Sequence, residues 1–412
     1  MCTILFLQSF NLYGITRDKS DTVYINNDSY ILLSGKQFLY FIDSSSSITI
    51  DKIKLFDSRF IAYSKDVVPN FGLTGYPIWV KAVLRNNSND FHVFIRIAYP
   101  LLSEIELFYF DSTTNRWVRN TSGEKYISRN DGFLHNQYTF QVPMSWNGTR
   151  VIYIKAHSFQ QMLYPVYVGT FDKIMNSISN DKIVFYLYVG IIIAIFFYNF
   201  FVFISTGDTN YFYYVIYIFF VFFAQFSLLG YAARYLWSGN YFFIKQGVNI
   251  SGIFSGIAVA IFVKNFLHTK INSPIFDKLL WLYIVLYAAC FIPIALDKSN
   301  LTYQSVDILA STGSLLIWII GVYLTFKKIK EAKYFLIAWT IFIASVIMFV
   351  LKDFGFLPYN FFTKNVMLLG SAIETILISL ALADKINTYK AEREQARMMA
   401  LSKSEEVRIV LS

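Results

Sequence analysis

The sequence contains few cysteines and histidines, and this shortage argues against two kinds of structural site. Its 412 residues include two cysteines and four histidines. Cys2 lies at the N-terminus and Cys290 lies within a long apolar run, so a disulfide framework or a thiolate metal site is not expected. The histidines have no spacing that would ligate a metal ion. We therefore expect neither a metal nor a cofactor.

Charged residues are also scarce, at 15% of the chain, whereas hydrophobic residues make up 55%. A soluble globular domain has about 25% charged and about 45–50% apolar residues. The apolar excess therefore predicts a membrane protein. The net charge of +9 could attract nucleic acid. In a membrane protein, however, Lys and Arg collect on cytoplasmic loops, so no nucleic-acid partner is expected.

The motifs of common catalytic sites are missing as well. The sequence has no glycine-rich phosphate loop, no HExxH pair and no Ser/His/Asp nucleophile arrangement. A retinal-type photoreceptor is not supported, because the last apolar run has no internal lysine. Lys364 lies at one edge of that run and Lys385 lies beyond the other. The sequence therefore predicts a protein that is not an enzyme.

The apolar residues are concentrated in the second half of the chain, where they form seven runs. A helix needs about 20 predominantly apolar residues to cross a bilayer. The runs are Ile183–Ile204, Tyr211–Ala233, Gln246–Val263, Leu279–Leu296, Ile308–Phe326, Tyr334–Leu351 and Asn365–Ala383. Only the last contains a charged residue, Glu374. We predict a seven-helix transmembrane domain over residues 183–383.

Basic residues in the connections predict the orientation of these helices. If the N-terminal domain is outside, the inner side carries Lys264, Lys270, Lys278, Lys327, Lys328, Lys330, Lys333, Lys385, Lys390, Arg393 and Arg397. The outer side carries only Arg234, Lys245, Lys298, Lys352 and Lys364. The larger number inside predicts an extracytoplasmic N-terminal domain and a cytoplasmic C-terminus.

An exported domain needs a targeting signal, and residues 1–20 are the candidate. Met1–Phe10 is apolar but lacks a basic n-region and a clear cleavage site. It is interpreted as a shortened signal segment or, alternatively, as a buried first strand.

Residues 21–170 have the pattern of an antiparallel β-sandwich. In Trp79–Arg85, Val80, Ala82 and Leu84 lie on one face, while Lys81 and Arg85 lie on the other. Similar runs are Phe91–Tyr99, Ile105–Phe110, Tyr138–Val142 and Val151–Ala156. Short strands with turns between them are typical of a sandwich. Residues 171–182 are expected to link this domain to the membrane.

Three aromatic residues near predicted strand ends are candidates for ligand contact. Tyr76, Trp117 and Trp146 could stack on a small extracytoplasmic ligand such as a sugar. The alternative is that each packs in the core or covers it.

Several segments, taken in order, resemble one family of membrane receptors. In the N-terminal half they are Val68–Gly72, Ile78–Val80, Leu84–Asn86, Tyr99–Leu102 and Ile105–Phe108. In the membrane half they are Tyr198–Asn199, Tyr211–Tyr214, Leu229–Tyr231, Tyr235–Trp237, Gly370–Glu374 and Leu380–Ile386. Between about Asp21 and Glu394 the chain resembles the bacterial seven-transmembrane receptors with diverse intracellular signalling modules (7TMR-DISM).

This resemblance implies a jelly-roll-like sensory ectodomain, comparable to carbohydrate-binding modules, and a seven-helix transducer in the bacterial plasma membrane. It also implies a cytoplasmic output module joined through a helical linker. The sequence ends at Ser412, before any such module. The expectation is therefore an output module lost in cis or supplied in trans.

Glu374 is the strongest candidate for signal transmission. It precedes Asp384 by ten residues, about 15 Å along a helix, which places it near the middle of the membrane. Intramembrane carboxyl groups are costly and often functional. We expect a neutral acid held by polar neighbours such as Asn199, Gln225 or Ser345. A purely structural, packing-specifying role is the alternative.

Three further residues complete the set assigned to transmission. Asn199 and Gln225 are expected to form interhelical hydrogen bonds. Asp307 lies near the outer end of the fifth run, where it is expected to be solvated at the interface or to line a cavity.

Residues 384–412 are rich in helix formers and mixed charge. A heptad register places at its core Leu382, Ile386, Tyr389, Arg393, Ala396, Ala400, Lys403, Val407 and Val410. Two of these are charged, so the tail is at most a marginal coiled coil. It is expected to continue the seventh helix as a linker that forms a homodimer; a solvated helix is the alternative.

Together these features predict a membrane receptor whose β-sandwich binds a small ligand and whose helices pass the change to the tail. A transporter with one buried carboxylate is the alternative. The spans show neither clear repeat symmetry nor paired broken helices, which weakens it.

Overall fold

The structure is a computed structural model that describes residues 20–63, 68–126, 137–353, 356–358 and 360–410. The candidate signal segment therefore lies, apart from its last residue, outside the described residues. Within the described residues, a β domain is followed by long helices, as predicted.

The N-terminal domain contains thirteen described strands, most of them short. They are β1 Thr22–Ile25, β2 Tyr30–Leu32, β3 Leu39–Ile42, β4 Ile61–Ala62, β5 Asn70–Leu73, β6 Ile78–Asn86, β7 His92–Ile97, β8 Glu104–Asp111, β9 Arg116–Ser122, β10 Tyr138–Pro143, β11 Thr149–His157, β12 Gln161–Leu163 and β13 Val166–Gly169. The alternating runs predicted from the sequence correspond to β6, β7, β8, β10 and β11. A short helix, α1 (Ile50–Ile53), follows β3 and is too short to show a helical period in the sequence.

Two sheets form the sandwich. The larger has the order β4-β3-β6-β11-β8-β9, with β1 pairing in parallel with β6. The smaller has the order β10-β7-β13-β2, and β5 pairs with β12. Alternate residues of β6, including Val80, Ala82 and Leu84, are buried between the sheets. The period of two that predicted this strand therefore also builds the core.

The outward face of the larger sheet carries a second apolar cluster. Trp79, Phe108 and Tyr153 lie there, on three adjacent strands. Ile53 and Phe60, from the segment between β3 and β4, pack over them. This cover is partial, and its open edge is where the candidate cleft lies.

Ten helices follow the sandwich in the described residues. They are α2 Phe171–Thr206, α3 Thr209–Leu228, α4 Tyr231–Tyr235, α5 Tyr241–Phe266, α6 Thr269–Asn272, α7 Pro274–Ala289, α8 Phe291–Ala295, α9 Ser299–Phe326, α10 Lys330–Asp353 and α11 Phe361–Val410. Seven segments are long and apolar enough to cross a membrane, with α7 and α8 together forming the fourth. The predicted number of spans is confirmed.

Some boundaries differ from those predicted. Residues 171–182, expected as a linker, are the first turns of α2, which continues without a break into the membrane. The second span ends at Leu228, because Gly230 has φ of 75° and starts a separate helix, α4. The seventh span and the tail form one 50-residue helix, so the tail continues the span as predicted.

Small residues allow close helix contacts in the membrane. A Cβ atom on Gly256 of α5 would lie 2.2 Å from the Tyr287 ring of α7. A Cβ atom on Gly370 of α11 would lie 2.0 Å from Ser345 Oγ of α10. Close approach at such positions is a common means of packing helices in lipid.

Candidate functional site

A cleft of about 590 Å³ opens on the outward face of the larger sheet. Because side chains alternate along strands, Trp79, Lys155, Glu106 and His157 all point to this face. The lining residues are Ser46, Ile48, Thr49, Ile50, Gly75, Pro77, Trp79, Glu104, Glu106, Phe108, Arg119, Lys155, Ala156, His157 and Phe159. The cleft thus combines aromatic walls with charges of both signs.

The two carboxylates of the cleft already have cationic partners. Glu106 pairs with Arg119, and Glu104 pairs with Lys125 on the rim. Lys155 instead donates a hydrogen bond to the Ile48 carbonyl oxygen at 3.1 Å. No carboxylate of the described residues forms an ion pair with Lys155, although Glu106 lies opposite it on the neighbouring strand.

Burial affects two further polar groups of the cleft, the Trp79 indole N–H and the His157 imidazole. The side chain of Trp79 is fully buried, and its Nε1–H has no hydrogen-bond partner in the described part of the chain. A buried donor without an acceptor costs free energy that a ligand could recover. Burial also lowers the pKa of His157, which favours the neutral imidazole near pH 7.

The three predicted aromatic contacts lie at different places. Tyr76 is exposed in the loop between Gly75 and Pro77, both of which line the cleft. Trp117 is half-buried on the same sheet face and packs edge-on against Tyr153.

Trp146 is 70% exposed but precedes the opposite end of β11. Since this strand has nine residues, Trp146 is roughly 30 Å from the cleft end. The structure therefore brings Tyr76 to the rim of the cleft, and Trp146 lies far from it.

The cleft adjoins the helices through Phe159. This residue lines the cleft, and its ring contacts Tyr241 at the start of α5, with 6.0 Å between centroids. Lys245 Nζ of α5 lies over the same ring, 5.4 Å from its centroid. A ligand that displaces Phe159 would therefore also disturb the outer end of the third span.

A charged junction joins the sandwich to two membrane helices. Arg96 of β7 is fully buried and pairs with Asp181 of α2. Lys364, near the start of α11, pairs with the same Asp181 oxygen at 2.5 Å. Tyr30 and Ser177 hydroxyl groups accept hydrogen bonds from Arg96 at 2.9 and 2.6 Å. One carboxylate thus connects the ectodomain with the first and seventh spans.

Apolar packing supports this junction. The first turns of α2 lie against the smaller sheet, where Ile174 and Ile178 form a buried cluster with Phe94. Phe171 contacts the Phe94 ring at 5.2 Å. The helix that enters the membrane is therefore docked on the sandwich along three turns.

A second contact between the ectodomain and the helices includes a buried acid. Glu124 lies in a short turn that touches α5. Burial raises the pKa of Glu124 to about 8, and the described residues offer it no ion pair. This carboxyl is therefore held mainly in its neutral form at pH 7.

Glu374 is fully buried among α2, α3 and α11. The hydroxyl of Tyr217 donates a hydrogen bond to Glu374 Oε1 at 2.6 Å. The neighbouring Tyr214 hydroxyl donates to the Thr375 carbonyl oxygen, and Tyr188 lies 3.3 Å from Ser371 Oγ. The described residues provide no cation within salt-bridge distance of this carboxyl.

The expected partners of Glu374 are not the observed ones. Asn199 donates to Ser379 Oγ at 2.9 Å, more than one turn along α11 from Glu374. Gln225 is buried two turns beyond Tyr217 on α3. Position along the helices explains the difference, because Tyr217 lies level with Glu374, whereas Asn199 lies level with Ser379.

The other candidates occupy separate positions. Ser345 packs against Gly370, one turn from Glu374, and donates to the Ile341 carbonyl oxygen. Asp307 has an exposed side chain on α9 and does not join the buried cluster. No group of His, Cys, Asp and Glu within the described ranges could hold a metal ion.

Polar contacts also surround the inner exit of α11. Lys385 is buried, and its Nζ lies 3.0 Å from His268 Nε2 in the connection after α5. Asp384 pairs with Lys330 at the start of α10, at 3.2 Å. The helix that becomes the tail is therefore held at its outer end, its middle and its inner end.

Comparisons with known proteins divide the chain at the same place as the structure. The family model described as 7TM diverse intracellular signalling matches residues 181–385, which hold the seven spans. The model described as 7TMR-DISM extracellular 2 matches residues 35–170, which hold most of the sandwich. A search of curated proteins finds no match to the chain.

Proposed function

Since the chain belongs to the family of seven-transmembrane receptors with diverse intracellular signalling modules, we propose that it is a receptor whose sandwich cleft binds a small extracytoplasmic ligand. It is a multi-pass membrane protein with an extracellular N-terminal domain. The proposed location is the bacterial plasma membrane. The proposed partners are a second copy, bound through the tail, and a cytoplasmic signalling module in cis or in trans.

The observation that carries this proposal is the junction at Asp181. Arg96 belongs to the sandwich, whereas Lys364 belongs to the helix that leaves the membrane as the tail. A shift of the sandwich relative to α2 changes the contact that Asp181 makes with Lys364. Because α11 is one continuous helix, a displacement at Lys364 can reach its cytoplasmic end.

The cleft provides an input to the same path. Its Phe159 edge rests on Tyr241, and Arg96 anchors the opposite sheet to α2. Ligand binding that closes the cleft would tilt the sandwich relative to the helices at these two contacts, Phe159 with Tyr241 and Arg96 with α2. Glu374 and Tyr217, midway along α11, would then hold alternative positions of that helix.

The transporter alternative requires a solute path through the helices. Two hollows of the described chain are a cleft in the sandwich and a second at the outer surface, beside Phe159 and Lys245. Neither penetrates to Glu374. This arrangement favours the receptor.

The experiment measures the tail without requiring a known ligand. In a chain carrying Cys2→Ser, Cys290→Ala and Ser404→Cys, tail-to-tail disulfide formation is followed in proteoliposomes. We expect Asp181→Asn to change the yield at least twofold. Asp57→Asn is the matched control, because it breaks an ion pair with Lys81 that lies outside both the junction and the cleft lining.

Two results would count against the proposal. One is an unchanged disulfide yield in Asp181→Asn, together with an unchanged distance between spin labels at Lys327→Cys and Ser404→Cys. The other is uptake of a solute by the unmodified chain in liposomes, which would favour the transporter.

A further inference from the structure

Two polar groups that line the cleft indicate which kind of ligand it could bind. Trp79 supplies a buried N–H without an acceptor, and Lys155 supplies a cation without a carboxylate partner among the described residues. Lys155 Nζ lies 5.2 Å from the centroid of the Trp79 ring. A buried N–H without an acceptor and a cation without a carboxylate partner therefore line the same cleft.

The other charges of the cleft are internally balanced. Arg119 and Lys125 each pair with a glutamate, so Lys155 is the lining cation without a carboxylate partner among the described residues. Lys155 donates one of its three N–H groups to the Ile48 carbonyl, which leaves two for a ligand. An anionic acceptor would satisfy both Lys155 and Trp79, whereas a neutral hydroxyl would leave the charge uncompensated.

One carboxylate can accept hydrogen bonds from two donors at once. Its two oxygens are about 2.2 Å apart, and each can accept a hydrogen bond from a donor about 2.9 Å away. Trp79 and Lys155 both line the cleft, and Lys155 Nζ lies over the Trp79 ring, so one carboxylate bound there could contact both side chains. Apolar side chains also line the cleft, with Ile48, Phe108 and Phe159 among them.

We propose that the cleft binds a small organic acid, with its carboxylate held by Trp79 and Lys155 and its apolar body against Phe108 and Phe159. This proposal rests on the proposed receptor function and specifies its ligand class. It makes Lys155 the main determinant of a preference for an acid over its neutral amide.

The test compares matched acids and amides on the full chain in detergent, by calorimetry. The probes are benzoate, indole-3-acetate and octanoate, each paired with its primary amide, and glucose is included as a neutral polyol. We expect at least one acid to bind about tenfold or more tightly than its amide, the effect of one charge-assisted contact.

Variants assign this preference to the two donors. Lys155→Met keeps most of the apolar stem and should reduce acid affinity about tenfold while leaving amide affinity unchanged. Trp79→Phe removes the N–H and should weaken the same acid severalfold. Lys81→Met is the control. Lys81 lies on β6, on the same sheet face as Lys155 and with the same charge, but it pairs with Asp57 and does not line the cleft.

Three outcomes would overturn the ligand class. They are equal binding of acids and amides, an acid preference that survives Lys155→Met, and no binding by any of the three acids. Glucose binding that survives Lys155→Met would also overturn it. The receptor proposal would still stand in each case, because its test follows the tail of Asp181→Asn without a ligand.

Discussion

The outer junction and the membrane centre both use a carboxyl group to hold α11, but with opposite chemistry. Asp181, at the outer end, is partly exposed and contacts two cations, Arg96 and Lys364. Glu374, ten residues after Lys364, is fully buried and contacts the hydroxyl of Tyr217. These two contacts lie about 15 Å apart along the helix.

The difference follows from the surroundings of each group. At the membrane boundary, a buried guanidinium is tolerated because a carboxylate and several hydrogen-bond acceptors compensate it. At the membrane centre, an ion without a counterion is far more costly, so a hydroxyl donor is the cheaper partner. The outer contact can therefore be strong and sensitive to charge, whereas the inner contact is weaker and depends on geometry.

Replacing Arg96 tests the outer region and should have the largest effect. Arg96→Met removes the guanidinium and leaves Tyr30, Ser177 and Asp181 without their shared partner. Breaking a buried ion pair costs about 3–5 kcal/mol. Because Lys364 still neutralises Asp181, we expect a loss of about 3 kcal/mol in denaturant unfolding followed by tryptophan fluorescence.

Lys125→Met is the control for this loss. Its pair with Glu104 is exposed on both sides, and such pairs contribute about 0.2–1 kcal/mol. If Arg96→Met costs no more than this control, the charges of the junction do not hold the sandwich on the helices. The comparison between the two regions would then fail at its outer end.

Much of the architecture was predictable because it depends on local patterns. The alternation of Val80, Ala82 and Leu84 identified β6, and the seven apolar runs identified the spans. The partnerships within the site are long-range. Asp181 and Lys364 are 183 residues apart, and Tyr217 and Glu374 are 157 apart.

The cleft was missed for a related reason. Trp79 and Lys81 could be assigned to one face of a strand, but the neighbours of Trp79 come from β11 and β8. Strand order and register bring Lys155 and Glu106 beside it, and one strand alone does not specify them. Exposed turn aromatics such as Trp146 lie on loops, whereas the cleft lies on the sheet face.

Glu124 combines features of the two regions. It lies at the contact between the sandwich and α5, but its carboxyl is buried like that of Glu374. With a pKa of about 8 against an ordinary value of 4.5, the native protein keeps this proton where the unfolded chain has lost it. Stability must then fall as pH rises between about 4.5 and 8, by up to about 1.4 kcal/mol per pH unit.

Glu124→Gln should remove this dependence. We expect the stability of the variant relative to the native chain to increase by about 2 kcal/mol between pH 6 and pH 8, measured by denaturant unfolding. Glu124→Met, which also cannot ionise, should show the same trend. Parallel pH profiles for the native chain and both variants would mean that the carboxyl ionises freely in the folded protein.

Glu374 provides the smallest expected effect and the most direct test of the inner region. Glu374→Gln keeps an oxygen that accepts from Tyr217, so assembly should be preserved. Glu374→Ala removes the acceptor and should cost about 0.6–2 kcal/mol, the range for interhelical hydrogen bonds in membranes. Tyr217→Phe removes the same bond from the other side, so the double variant should lose less than the sum of the two single losses.

The measurement is unfolding in mixed micelles, with tail disulfide formation as the second readout. If Glu374→Gln impairs both as severely as Glu374→Ala, hydrogen-bond geometry is not what this position supplies, and an ionising carboxyl becomes the better account of the membrane centre.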